Sequence, residues 1–216
     1  MVAKHIRVEG ARTALSLGIG HAEVARRMLE TLSGGPLERY VIVEGSALII
    51  DEFRTSQGVL PEGLELLEGY FETFAHPLRF EVIEAGFVLE HVEDPAIVLR
   101  RMRNFLAPNG RLIIAVPNAR SLHRLLGHHA GLLQDMYALT QADHALGHRR
   151  YFDLERLVAL VREAGFQVER SAGLLLKPFT TGQLHSLNLP AGVWDALMRV
   201  ASPDHQPYPE IAHAIY

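Results

Sequence analysis

The chain has 216 residues, 48% of them hydrophobic and 21% charged, which suits one globular core and argues against global disorder. A formal net charge of −4 gives no overall pull toward nucleic acid, and no apolar run reaches the roughly 18–20 residues that a membrane span needs. Cysteine is absent, which removes disulfide frameworks, CxxC redox chemistry and thiolate metal sites, whereas 12 histidines leave imidazole as the reactive group in surplus. Residues 1–10 contain no apolar signal core, so a cytoplasmic protein is expected.

Short β-rich runs alternate with amphipathic helical runs, the pattern of an α/β fold with a parallel sheet. The first strand is Thr13–Leu17, ending in Gly18-Ile-Gly20, and a helix follows from about Ala22 to Leu32 with Ala25, Met28, Leu29 and Leu32 on one face. Gly34-Gly35 stops that helix. A second strand, Tyr40–Glu44, precedes a helix carrying Leu48, Ile49 and Phe53. Leu64–Leu67 is a short third strand, and Phe80–Ile83 is a fourth that runs into Glu84-Ala-Gly86. Asp94-Pro95 reads as an N-cap with proline at the first helical position. The helix it opens would bury Val98, Leu99, Met102, Phe105 and Leu106, and Pro108-Asn-Gly110 would end it. Arg111–Val116 is the clearest strand, stopped by Pro117. Asp153 caps a helix with Leu154, Leu157, Val158, Val161 and Ala164 on one face. Late strands are expected around 166–177 and 211–216, with a helix after Pro190 whose Trp194 face would be core or a homodimer contact. The whole reads as one domain, residues 1–216, interrupted at about 118–150 by a lid-like insertion too long for an ordinary αβ connection.

Two features point to a nucleotide-like ligand. Gly18-Ile-Gly20 feeds a strand directly into a helix, where small residues admit close backbone approach and the helix start offers free N–H groups. A plain tight βα turn would look the same. No Gly-Lys-Ser/Thr follows, so this is not a phosphate-binding P-loop, and the third glycine of GxGxxG would fall at Glu23. Glu44, at the tip of the second strand, can accept two hydrogen bonds from a ribose diol; the alternative is a solvated loop carboxylate.

These residues, with three further segments, resemble the class I S-adenosylmethionine-dependent methyltransferases of the small-molecule branch. Phe80–Pro95 looks like the family's fourth strand with its LEHV-x-DP continuation. Leu99–Asn118 is close to its L-x-P-x-G-x-L-x-x-x-V-P-N pattern. His148-Arg-Arg-Tyr-Phe152, followed by Leu157 and Ala164-Gly-Phe166, repeats H-x-R-x-F…L…AGF. The resemblance covers about residues 13–178. It implies a Rossmann-like, doubly wound sheet of about seven strands, mostly parallel with an antiparallel last strand. It also implies S-adenosylmethionine as cofactor: Gly18 and Gly20 wrapping its methionine part, Glu44 on the ribose, and Gly45 and Ser46 beside the adenine. Tyr70 and Phe71 would occupy the adenine side, with Ala85, Gly86 and Phe87 lining the cofactor at the fourth strand tip. Three positions depart from the family. Ser16 stands where an acid is usual, Ala22 replaces the last glycine of GxGxG, and Tyr70 replaces an adenine-side aspartate.

Methyl transfer requires an acceptor held in line, and an oxygen nucleophile benefits from a general base. His91, just past the fourth strand tip, and His148 are the expected catalytic histidines; a buried helix-start histidine is the plainer reading of His91. The insertion holds five of the 12 histidines, and four arginines against two aspartates. As a basic lid it would suit an anionic acceptor such as a nucleotide-linked or phosphorylated sugar, with His123, Arg124, Arg149, Arg150 and Tyr151 as contacts; a solvated surface loop is the alternative. No metal site is expected, because the i,i+4 pair His144/His148 is broken by Gly147 and shows no acidic third ligand. The expected activity is methylation of oxygen or nitrogen in a small polar metabolite, a sugar by preference. A catalytically silent cofactor-binding relative acting as a partner protein, and a nicotinamide oxidoreductase, are the alternatives.

Overall fold

The computed structural model describes residues 10–20, 22–201 and 208–216, and the side chains of Ala22, Ala201 and Pro209 also fall outside it. The departure at Ala22 and the expectation about the N-terminal leader therefore lie outside the described residues. The chain divides into two compact units, one running to Val88 and taking in Asp94–Ile114, the other comprising Leu89–Glu93 and Ala115–Tyr216.

The first unit follows the expected alternation. Strand β1 (Thr13–Leu17) leads to α1 (Ala22–Gly34), β2 (Arg39–Glu44), α2 (Ala47–Gln57), β3 (Leu64–Glu68) and β4 (Phe80–Gly86), then α3 (Pro95–Phe105). β1 pairs in parallel with both β2 and β4, and β2 with β3. Ala14, Met28, Leu29, Tyr40, Ile42, Phe53 and Val82 are among the residues of its main apolar core. Leu48 and Ile49 face outward at 67% and 41% exposure, and Ile50 takes the buried place beside Phe53. The amphipathic phase of α2 is thus one residue later than the Leu-Ile run suggests. The Asp94 side chain accepts from the backbone N–H groups of Ala96 and Ile97, the cap expected before Pro95. Val98, Leu99 and Met102 are buried, whereas Phe105 and Leu106 are only half-buried. Strand β5 (Leu106–Pro117) begins as soon as α3 ends, so the Pro108–Gly110 turn, with Asn109 at φ 61°, lies inside the strand element rather than before it.

β5 carries the chain into the second unit, where its last residues, Val116 and Pro117, pair antiparallel with β7 (Ala214–Ile215). β7 also pairs antiparallel with β6 (Gly173–Leu174). The sheet order is β3-β2-β1-β4-β5-β7-β6, the expected seven strands with an antiparallel finish. The two late strands shrink to two residues each, because the flanking backbone bonds elsewhere: His213 N–H donates to Leu175 and Leu176 N–H to Leu197. The insertion forms two short helices, α4 (Leu122–His129) and α5 (Gln141–Ala145). Asp153 caps α6 (Leu154–Glu163) through Arg156 N–H, with Leu157 and Val161 buried. α7 (Thr181–Ser186) and α8 (Ala191–Ala201) follow. Trp194 is half-buried, and no described residue of α8 is fully buried, so this helix is not core. Among the described residues no helix is long and apolar enough to cross a membrane.

Candidate active site

In the first unit the strand order reverses at β1, with β2 on one side and β4 on the other. Open α/β sheets bind ligands at the carboxyl ends of strands beside such a switch. Gly18 and Gly20 stand there with φ of 81° and 52°, a backbone region that side-chain-bearing residues rarely enter. No atom lies within 4 Å of the point where a Gly20 Cβ would be, whereas a Gly18 Cβ would sit 3.7 Å from Glu44 Oε2. The Glu44 carboxylate ties the tips together, accepting from Ile19 N–H at 3.1 Å through Oε2 and from Ser46 N–H at 3.0 Å through Oε1. Each oxygen keeps a further lone pair, so the acid can still receive a diol.

Gly45 lets the Tyr70 ring lie against the β2 tip, with ring carbons 3.9 Å from its virtual Cβ, and Tyr70 itself is 70% exposed. Ser46 is the N-cap of α2, accepting from Ile49 N–H, so its hydroxyl works for the helix. Phe71 is half-buried and Ala85 fully buried. Phe87 holds φ 58° with its ring partly exposed, a strained conformation of the kind that collects at ligand sites.

Sequence reasoning missed Glu84. It lies opposite Ser16 in the β1–β4 register, buried, and accepts from Gly86 N–H at 2.8 Å. A Gly86 Cβ would fall 2.4 Å from its Oε1, so a larger residue at position 86 would force the Glu84 carboxylate to move. Burial pushes the Glu84 carboxyl up to about 7, against the opposing pull of hydrogen bonds from Ser16 and Gly86. The Ser16 hydroxyl also meets Tyr40 Oη at 2.9 Å. The acid absent from position 16 is therefore present from the neighbouring strand. Cross-strand register, which alternation along one strand does not reveal, is the signal that places it.

In the second unit the structure brings His91 and His148 together, with ring centroids 4.8 Å apart. Glu90 joins them: one ligand-type atom from each of the three lies within 4.8 Å of the others. Glu90 is fully buried, and neither carboxylate oxygen has a hydrogen-bond partner. Burial raises its pKa to about 7. His91 is held below the ordinary histidine range by burial first and by His148 second. His148 Nδ1 lies 3.3 Å from Asp143 Oδ1 without the alignment of a hydrogen bond. Asp143 is fixed in turn by Thr140 N–H and Oγ1 and by Tyr151 Oη at 2.9 Å.

The expected acceptor contacts divide. Arg149 is exposed, and its backbone N–H donates to Glu90 O. Arg124 is buried, donates to the carbonyls of Met136 and Ala138, and stacks 4.1 Å over the Tyr151 ring. Arg150 donates to the carbonyls of Leu89, Val92 and Glu93. Both guanidinium groups thus brace backbone in place of the expected contact with an acceptor. Sequence reasoning also missed Lys177, buried and bonded through Nζ to Thr181 Oγ1 at 2.6 Å. Burial lowers it to about 8, and its charge helps hold His123 at about 4 after burial's own larger effect. The His123 and His213 rings lie 5.5 Å apart, each with a buried Nδ1 lacking a partner.

Comparison with known proteins assigns this architecture. A family model described as a methyltransferase domain matches residues 10–171, and the chain belongs to that family. The ubiquinone biosynthesis O-methyltransferase of Pseudoalteromonas translucida is 29% identical over 121 residues, covering 55% of this chain and 48% of that protein. The chain thus spans about half the length of the curated relative it matches. A S-adenosylmethionine-dependent methyltransferase from Mesorhizobium loti shares the fold, with a TM-score of 0.62, 16% identity and coverage of 91% and 92% of the two chains. The N-methyltransferase NodS of Bradyrhizobium japonicum, solved with S-adenosyl-l-homocysteine, gives a TM-score of 0.54 at 14% identity, over 82% of this chain and 78% of that one.

Proposed function

We propose that this methyltransferase transfers a methyl group to an oxygen or nitrogen of a small polar metabolite bearing an acidic group. In this reading Gly18, Gly20, Glu44, Gly45, Ser46, Tyr70, Phe71, Ala85, Gly86 and Phe87 hold the cofactor. S-adenosylmethionine supplies an electrophilic sulfonium methyl, which leaves the protein to orient the acceptor and manage one proton. The Glu90/His91/His148 cluster is the polar centre that assists the acceptor. The observation that carries the acidic-group reading is Lys177, a buried amine whose bonded partner is a hydroxyl rather than a carboxylate. With His123 and His213 it makes a nitrogen-rich centre that an anionic group would complement. Exposed Arg120 and Arg149 add positive charge on the same unit, and Tyr151 contributes by holding Asp143.

The acceptor atom is most simply a hydroxyl, either of a sugar or of a phenol; the curated relative's name favours the phenol. We place the protein in the cytoplasm, acting on a free small molecule rather than on nucleic acid. The test is transfer of a labelled methyl group from S-adenosylmethionine to a panel of hydroxybenzoates, catechols and uronic-acid sugars, each beside its neutral analogue. Acidic acceptors should be methylated at least ten times faster than their neutral counterparts. Equal rates, or transfer to neutral acceptors alone, would remove the acidic-group assignment.

A further inference from the structure

We infer that Glu90, His91 and His148 form a binding site for one divalent transition-metal ion of the zinc, cobalt or nickel type. Two imidazoles and one carboxylate are the donor set of catalytic zinc and of mononuclear iron sites, and they leave coordination positions open for an oxygen ligand. Magnesium and calcium, which prefer oxygen cages, do not match it.

Three observations converge. The ligand atoms lie within 4.8 Å of one another. Around a metal at 2.0–2.2 Å per bond they would stand about 3.3 Å apart, so side-chain adjustments of no more than about 1.5 Å close the site. Glu90 is a fully buried carboxylate with both oxygens lacking hydrogen-bond partners, a placement that a cation directly offsets. Each ring also has a polar group beside it that could orient a metal-bound histidine. His148 has the Asp143 carboxylate at 3.3 Å from Nδ1, itself anchored by Thr140 and Tyr151. His91 has the Gly147 backbone beside it, with its Nδ1 3.7 Å from the point where a Gly147 Cβ would be. A carboxylate placed to accept the outer N–H of a metal-bound histidine orients the ring and raises ligand basicity. Arg150 completes the support by bracing the carbonyls on either side of Glu90 and His91.

The acidic third ligand that His144/His148 lacks in sequence is therefore Glu90, more than fifty positions away along the chain, and His91 takes the place of His144. The site deepens the acceptor-assisting role proposed above, since a cation lowers the pKa of a hydroxyl bound to it. Its test reads metal binding alone, so it can fail while methyl transfer succeeds, or the reverse.

Cobalt(II) added to the chelator-treated, full-length chain should develop visible d–d absorption that saturates at one ion per chain, and zinc should abolish it. His148→Gln and Glu90→Gln should each weaken cobalt binding at least tenfold. His128→Asn/His129→Asn, removing an adjacent exposed pair, should leave it unchanged. Circular dichroism confirms that each variant is folded, and Asp143→Asn gives a milder second-sphere control. A saturating signal insensitive to His148→Gln and Glu90→Gln, or no signal at one equivalent, would overturn the assignment.

Discussion

Arg150→Ala is expected to destabilise the protein by about 3 kcal/mol, because three carbonyl oxygens lose one charged donor and the buried ones are left unsatisfied. The guanidinium reaches Leu89 O at 3.1 Å, Val92 O at 2.6 Å and Glu93 O at 2.9 Å. Those carbonyls belong to a five-residue segment, Leu89–Glu93, that packs with the second unit although its chain neighbours on both sides belong to the first. Arg150 and the backbone N–H of Arg149, which donates to Glu90 O at 2.8 Å, bond that segment to the second unit. Lysine at position 150 keeps the charge but loses the planar fork, so Arg150→Lys should recover less than half of the loss. Urea unfolding of the three proteins at pH 7 measures this. An Arg150→Ala midpoint within error of the parent would show that the clamp contributes nothing.

Glu84→Gln should stabilise the protein at pH 8 by about 3 kcal/mol and leave it nearly unchanged at pH 5. The sign follows from burial. The carboxyl of Glu84 has its folded pKa raised from 4.5 to about 7. Between those values the folded chain keeps a proton that the unfolded chain has released. Stability therefore falls as pH rises through that window and is flat above it. Glutamine preserves the shape and a hydrogen bond to Ser16 while removing the titration. Glu90, also raised to about 7, adds a slope of the same sign in both proteins, so the difference between parent and variant isolates Glu84. Urea midpoints at pH 5, 6, 7 and 8 should diverge steadily. Parallel curves would mean that Glu84 is ionised in the fold.

Strand tips were the most legible part of the molecule. Gly18, Gly20 and Glu44 stand at the ends of runs whose β character is local, so position along the chain already located them. What stayed hidden depends on contacts between distant segments. Glu84 is a buried acid in strand β4, and its register opposite Ser16 places it beside the β1 tip. Arg124 and Arg150 read as available charge because their partners, the carbonyls of Met136, Ala138, Leu89, Val92 and Glu93, leave no mark in composition. Asp143 counted as a charge offset within a basic insertion, whereas it anchors Tyr151 and His148. The phase of α2 went astray for a simpler reason: three consecutive apolar residues, Leu48, Ile49 and Ile50, fit two helical faces equally well.

In the proposed reading the tips of β1, β2 and β4 hold the cofactor, with Glu44 as its ribose anchor. Calorimetric titration of S-adenosyl-l-homocysteine into the parent and into Glu44→Ala tests it most directly. Losing the charged hydrogen bonds should weaken binding by about 1–3 kcal/mol, roughly 5- to 150-fold, with the variant still folded. Equal affinities in the two proteins would contradict the assignment of the site.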